Sequence, residues 1–140
     1  MRPLARAGAI PCTSYEDFCS KLRKPRTVIL MVTAGKAVDE VIAGLTPFLA
    51  QGDTVIDAGN SLYTDSVRRH KQLAKEKISF LDAGTSGGLN GARHGACITV
   101  GGDEKAFKRS QAILKKISAP GGLAYAGPSG AGHFVKMVHN

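Results

Sequence analysis

Tryptophan is absent from this 140-residue chain, and only three tyrosines and five phenylalanines supply its aromatic surface. That shortage argues against a face that stacks bases of single-stranded nucleic acid. Cysteine is scarce too: Cys12, Cys19 and Cys97 are odd in number and match no zinc-site spacing, so neither a disulfide framework nor a metal site is expected. They read as thiols in a reducing compartment. No apolar run approaches the ~20 residues that cross a bilayer. Met1 to Pro11 holds two arginines but neither a long apolar core nor a cleavage site, so no signal peptide is read and a cytoplasmic location is expected, with no membrane partner. Nor does a Gly-x-Gly-x-x-Gly turn follow a first strand; the nearest candidate, Gly84 to Gly88, lies mid-chain with the wrong spacing.

What is present fits one compact domain, with a hydrophobic fraction of 43% to build its core. The net charge of +8 invites a nucleic-acid reading. However, the cations are scattered (Arg23, Lys24, Arg26; Arg68, Arg69, Lys71; Lys105, Lys108, Arg109, Lys115, Lys116), and most fall where helices turn solvated faces outward. No nucleic-acid partner is expected; small phosphorylated anions need only a few of these charges.

Thr27 to Val32 is a continuous apolar, β-branched run, the pattern of a strand covered on both faces. Thr33-Ala34-Gly35 breaks it, and Ala37, Val38, Val41, Ile42, Leu45, Phe48 and Leu49 then recur at helical spacing. The pattern repeats: a strand at Thr54–Asp57, a loop at Ala58–Ser61 and a helix from Asp65 to Lys77. Next come a strand at Ile78–Asp82 and a glycine-rich loop through Gly91. Ala96–Val100 reads as a strand, Asp103 as the cap of a helix over Glu104–Ile117, and Leu123–Ala126 as a last strand before a helix beyond Gly132. Ser14 reads as the cap of a short helix over Tyr15–Leu22. Such alternation predicts an α/β fold with an open, largely parallel sheet. Its ligands bind outside the carboxyl ends of the strands, where the loops at Thr33–Gly35, Ala58–Ser61 and Ala83–Gly91 would share one cleft.

The sharpest chemical signal is Gly130 to Asn140. On a helix, His133, Lys136 and Asn140 fall along one side, with His139 three residues beyond Lys136. A lysine among apolar neighbours on a packed helix loses its charge more readily, which suits a general base. An amphipathic surface helix with a solvated Lys136 fits the same residues equally well. Asn60-Ser61 reads equally as a turn that caps the next helix, and Gly84 to Gly91 as a plain glycine-rich connection. Arg93 and His94 read as surface residues, and Arg68-Arg69 as a solvated helix face.

Taken in order, Met31-Val32-Thr33-Ala34-Gly35, Asp57 to Ser61 with Tyr63, Asp65, Arg68 and Arg69, Asp82 to Gly88, and Gly127 to Asn140 resemble the motifs of decarboxylating 6-phosphogluconate dehydrogenases. The likeness covers roughly residues 27 to 140. Thr85 before Ser-Gly-Gly, and Gly121 to Tyr125, resemble the shorter branch of that family. The resemblance implies a Rossmann-like sheet that lacks its first βα unit and ends at the start of the inter-domain helix. Residues 1–128 would be a partial NAD(P)-binding domain, and 129–140 the start of the helix into an all-helical second domain. It further implies Lys136 as the catalytic base, and Asn60, Ser86, Gly87, Gly88, His139 and Asn140 as binders of 6-phosphogluconate. Val32, Thr33, Ala34, Ala37 and Asn60 would meet the cofactor. NAD or NADP is expected, NAD slightly favoured by the short-branch likeness, and the full-length family forms homodimers or homotetramers. This chain alone is expected to be an inactive fragment.

Two other readings stand beside this one. A 3-hydroxyisobutyrate-type β-hydroxyacid dehydrogenase shares the Ser-Gly-Gly loop, a stretch like Ile98 to Gly102 and the helix lysine; His139 and Asn60-Ser61 argue against it. A non-catalytic remnant or interaction module is the alternative from another class.

Overall fold

The computed structural model describes Arg2 to His139. Two short helices, α1 (Arg2–Arg6) and α2 (Tyr15–Ser20), precede β1 (Thr27–Leu30). There follow α3 (Lys36–Leu45), β2 (Thr54–Asp57), α4 (Tyr63–Lys75), β3 (Ser79–Ser86), α5 (Gly88–His94), β4 (Ala96–Gly102), α6 (Glu104–Ile117), β5 (Ser118–Gly127) and α7 (Ala131–His139). The five strands form one sheet in sequence order. β1, β2 and β3 run parallel, with Val28 beside Val55 and Val55 beside Phe80, as the buried apolar runs predict. Among the described residues no strand precedes Thr27.

Two strands depart from the parallel frame: β4 runs antiparallel to β3, and β5, parallel to β4, is reversed with it. A parallel return needs a crossover of a dozen residues or more. Gly87 to Gly95 is too short for that and folds as the seven-residue helix α5. The expected loop from Ala83 to Gly91 is therefore strand as far as Ser86 and helix from Gly88. β1 in turn stops at Leu30, leaving Met31 and Val32 exposed beyond it. β5 starts at Ser118, ahead of the predicted Leu123, and α4 spans Tyr63–Lys75.

Strand side chains alternate between two cores. Val28, Val55 and Phe80 pack with α2, α3 and α4 through Cys19, Val38, Ile42, Leu45 and Leu73. Ile56, Leu81 and Ala83 pack on the other face with Ile98, Val100 and the α6 residues Phe107 and Leu114. The predicted caps hold: Ser14 Oγ accepts from the Asp17 amide and Asp103 from the Ala106 amide. Asp53, almost fully buried, accepts from the Arg26 and Ala50 amides and from the Arg26 guanidinium, fixing the start of β1 against the turn before β2.

Candidate active site

The carboxyl ends of β1, β2 and β3 open onto a cleft of about 1190 Å³. Val32, Thr33 and Ala34 follow β1, Asn60 follows β2, Ser86 ends β3, and Gly87 and Gly88 follow it; with Lys136 of α7 all of them line this one cleft. Ala37, the second residue of α3, is half-buried and does not line it; neither does His139, exposed at the end of α7. Asn140 lies outside the described residues. Gly87 needs to be glycine: its φ is +141°, and a Cβ there would meet the Gly91 Cα at 2.8 Å.

Among the described residues no aspartate or glutamate lines the cleft, whereas Lys136, Arg93 and Lys116 do, with His94 beside them. Arg93 and His94 are exposed surface residues, as expected, but they form part of the cleft's rim.

Lys136 is the centre of the arrangement. Its Nζ donates to Asn60 Oδ1 and to the Thr85 backbone carbonyl, which joins the ends of β2, β3 and α7 at one atom. Burial lowers the Lys136 pKa from the ordinary lysine value. The amine form is therefore easier to reach than for a lysine on an open surface.

Three expectations about neighbouring residues are corrected. Arg69 is no solvated face: it is fully buried. Its Nε donates to Asp39 at 2.8 Å, Nη1 to Ser61 Oγ at 3.1 Å and Asp57 at 3.4 Å, and Nη2 to the Gly35 carbonyl at 3.0 Å. Only Arg68 lies outside, half-exposed against Asp39 and Asp65. Ser61 does not cap α4, since the cap position is Leu62; its hydroxyl donates to Asp57 at 2.6 Å, and Asp57 also accepts from the Gly59 amide. His133 does not share the accessible side of Lys136. It is buried beneath α7, 2.7 Å from Ser66 Oγ, and burial pushes its pKa down.

The sequence reading missed Arg69, Asp39, Asp82 and Ser66. A signal existed for two of them: Ser66, Arg69 and Leu73 recur at i, i+3 and i+7 along the inward stripe of α4. A charged residue on such a stripe must be paired.

In an open α/β sheet ligands bind in the crevice outside the carboxyl ends of the strands, and a cation-lined crevice there defines a domain suited to an anionic ligand such as a nucleotide. Residues 1–129 match the model of the NAD binding domain of 6-phosphogluconate dehydrogenase, and the chain belongs to that family. It is 48% identical over 134 residues to the NAD(+)-dependent, decarboxylating 6-phosphogluconate dehydrogenase of Bacillus subtilis, covering 93% of this chain and 29% of that one. To decarboxylating 6-phosphogluconate dehydrogenase 1 of Saccharomyces cerevisiae it is 47% identical over 135 residues, covering 94% and 28%. The chain thus spans less than half the length of the curated relatives it matches.

Among solved structures, the Plasmodium falciparum 6-phosphogluconate dehydrogenase superposes with a TM-score of 0.84 at 42% identity, over 89% of this chain and 28% of that one. That enzyme has been solved without ligand, with its cofactor NADP+ and with its substrate 6-phosphogluconate. A Mycobacterium tuberculosis 3-hydroxyisobutyrate dehydrogenase is also similar, with a TM-score of 0.75 at 27% identity, over 81% of this chain and 38% of that one. The lower identity gives the 3-hydroxyisobutyrate reading no better support. No helix among the described residues is long and apolar enough to cross a membrane.

Proposed function

We propose that this chain is the cofactor-binding part of a decarboxylating 6-phosphogluconate dehydrogenase in which Lys136 is the general base. One observation carries the reading: a lysine with a burial-lowered pKa is held by Asn60 and the Thr85 carbonyl in the wall of the cleft formed by all three parallel strand ends.

A bound nicotinamide supplies the hydride acceptor. Lys136 takes the proton of the substrate hydroxyl as its carbon gives up hydride. The β-keto acid so formed loses carbon dioxide, because the adjacent carbonyl takes up the electron pair as an enediol. Asn60, Ser86, Gly87 and Gly88 hold the sugar acid, with His139 and Asn140 completing the set. Val32, Thr33, Ala34 and Ala37, with Asn60, form the cofactor side. The cationic rim suits a ligand with a carboxylate and a phosphate. NAD is the favoured cofactor, supported by Thr85 before Ser-Gly-Gly and by the NAD(+)-dependent relative from Bacillus subtilis. Residues 1–128 form the binding domain and 129–140 lead into a helical partner domain. The whole protein is cytoplasmic and works as a homodimer or homotetramer.

The test is a chimera that joins this chain to the remaining segments of the Bacillus subtilis relative, assayed by reduced-cofactor absorbance. The chain alone is expected to show no turnover, since proximity catalysis needs the substrate held on all sides. The chimera oxidises 6-phosphogluconate, and Lys136→Met lowers kcat by roughly 10²–10⁴-fold while cofactor affinity is retained. Full activity in that mutant refutes the base assignment, and turnover of 3-hydroxyisobutyrate in place of 6-phosphogluconate refutes the substrate.

A further inference from the structure

Helix α7 meets the sheet without side chains in between. A Cβ on Gly132 would overlap the carbonyls of Asp82 and Thr99 and the amide of Gly101; a Cβ on Gly84 would lie 2.7 Å from the Lys136 Cβ. At the helix start, Asp82 of β3 is fully buried, and its two oxygens are divided between two backbone amides: Oδ1 accepts from Gly130 at 2.7 Å and Oδ2 from His133 at 2.9 Å. Thr99 Oγ1 donates to the Gly132 carbonyl at 3.0 Å. The first turn of any helix has amides without partners, and a carboxylate suits them in hydrogen bonding and in charge. Such a cap normally comes from the residue just before the helix. Here the nearby Ser129 hydroxyl is turned away to the Ser66 carbonyl, and the capping carboxylate comes from a strand 48 residues earlier in the chain.

We infer that Asp82 is the positioning residue for Lys136: by clamping the first turn of α7 to β3, it sets the depth and rotation at which the lysine enters the cleft. Lys136 follows His133 by three residues, about 4.5 Å along the axis at 1.5 Å per residue. A helix freed at that clamp would move the amine away from Asn60 and the Thr85 carbonyl. The inference rests on the reading of Lys136 as the base. Its test is a titration in the chain itself, so a failed turnover assay and a failed clamp give different results.

The readout is the Lys136 side-chain titration by NMR on lysine-labelled protein, assigned with Lys136→Arg. Asp82→Asn keeps the shape but offers one acceptor oxygen where two amides each need one. The two possible effects have opposite signs. Removing a negative charge alone makes the ammonium less favourable and lowers the Lys136 pKa; His133 on the inward face of α7 carries no charge near neutrality to offset it, and Asp57 of β2, whose charge also reaches His133, is the same in both proteins. Releasing the helix lets the amine reach water, reverses the effect of burial and raises it. We expect an upward shift in Asp82→Asn.

Asp53→Asn is the comparator, a buried aspartate likewise bonded to two backbone amides but at the start of β1; it should lower Tm and leave Lys136 unchanged. No shift or a downward shift in folded Asp82→Asn overturns the inference, as does an equal upward shift in Asp53→Asn. Should Asp82→Asn not fold, Thr99→Val loosens the same seat more mildly. A smaller upward shift there supports the clamp, and an unchanged titration overturns it.

Discussion

Replacing Arg69 by methionine tests whether the buried guanidinium organises the loops around the cleft. In the native chain it binds four acceptors: Asp39, Asp57, Ser61 and the carbonyl of Gly35. Breaking a buried ion pair by removing one partner costs about 3–5 kcal/mol, because the other charge stays behind without compensation. The lower end applies here. Asp57 keeps the Ser61 hydroxyl at 2.6 Å and the Gly59 amide at 3.1 Å, and Asp39 keeps Arg68 and access to water. About 3 kcal/mol corresponds to a Tm loss of roughly 10 °C in a domain of this size. Arg68→Met, which touches only the half-exposed partners, should cost under about 1 kcal/mol.

The pH dependence adds a second check. Hydrogen bonding from Arg69 leads the causes that hold Asp39 at a pKa of about 2, below its ordinary 3.8. A depressed carboxylate contributes stability that is present above the unfolded pKa and lost as pH falls through the folded one. The gap between parent and Arg69→Met should therefore be full near pH 6 and narrow between about pH 4 and pH 2. Thermal melts by circular dichroism across that range read both quantities. A Tm loss no larger than that of Arg68→Met, or a gap that does not change with pH, refutes the argument.

Gly132→Ala forces a methyl into the backbone of β3 and β4, so Tm should fall by roughly 10 °C or more, the scale of an overpacked core; a melt within about 2 °C of the parent contradicts the close seat of α7. Ser110, buried on α6 with an unpaired hydroxyl, should give the opposite sign: Ser110→Ala gains roughly 0.5–1 kcal/mol, checked by urea denaturation, and a loss would show that the hydroxyl has a partner. His133 is held below its ordinary pKa by burial, so the unfolded chain binds the proton more readily. Stability should fall as pH drops below about 6.5, and His133→Asn should flatten that slope between about pH 7 and pH 5.

Periodicity made the parallel strands legible, because Val28, Val55 and Phe80 need cover on both faces and their runs say so. The cleft was legible for a related reason: loops after parallel strands meet at one edge, and Val32, Asn60, Ser86 and Lys136 all lie there. The direction of β4 was not. Composition treats Gly87 to Gly95 as loop, and only the number of residues available for a crossover decides the reversal. Arg69 and Asp82 escaped for another reason. Each is polar, and its burial depends on a partner distant in the chain: Asp39 and Asp57 for Arg69, and the first turn of α7 for Asp82. No local pattern carries that pairing. Helical spacing sets His139 three residues beyond Lys136, and its exposure at the end of α7 is a property of the helix end that spacing does not carry.

Among the described residues no aspartate or glutamate lines the cleft, which has a kinetic consequence. Arg93, Lys116 and Lys136 present one sign of field to an approaching molecule, so an anion is drawn in before it touches anything. Screening acts over about 8 Å at physiological ionic strength, comparable to the cleft itself. Added salt should therefore slow the arrival of phosphorylated ligands several-fold while leaving their departure, set by short-range hydrogen bonds, nearly unchanged. A metabolite of the same size without charge gains nothing from this field, so the rim sorts solutes by the rate at which they enter.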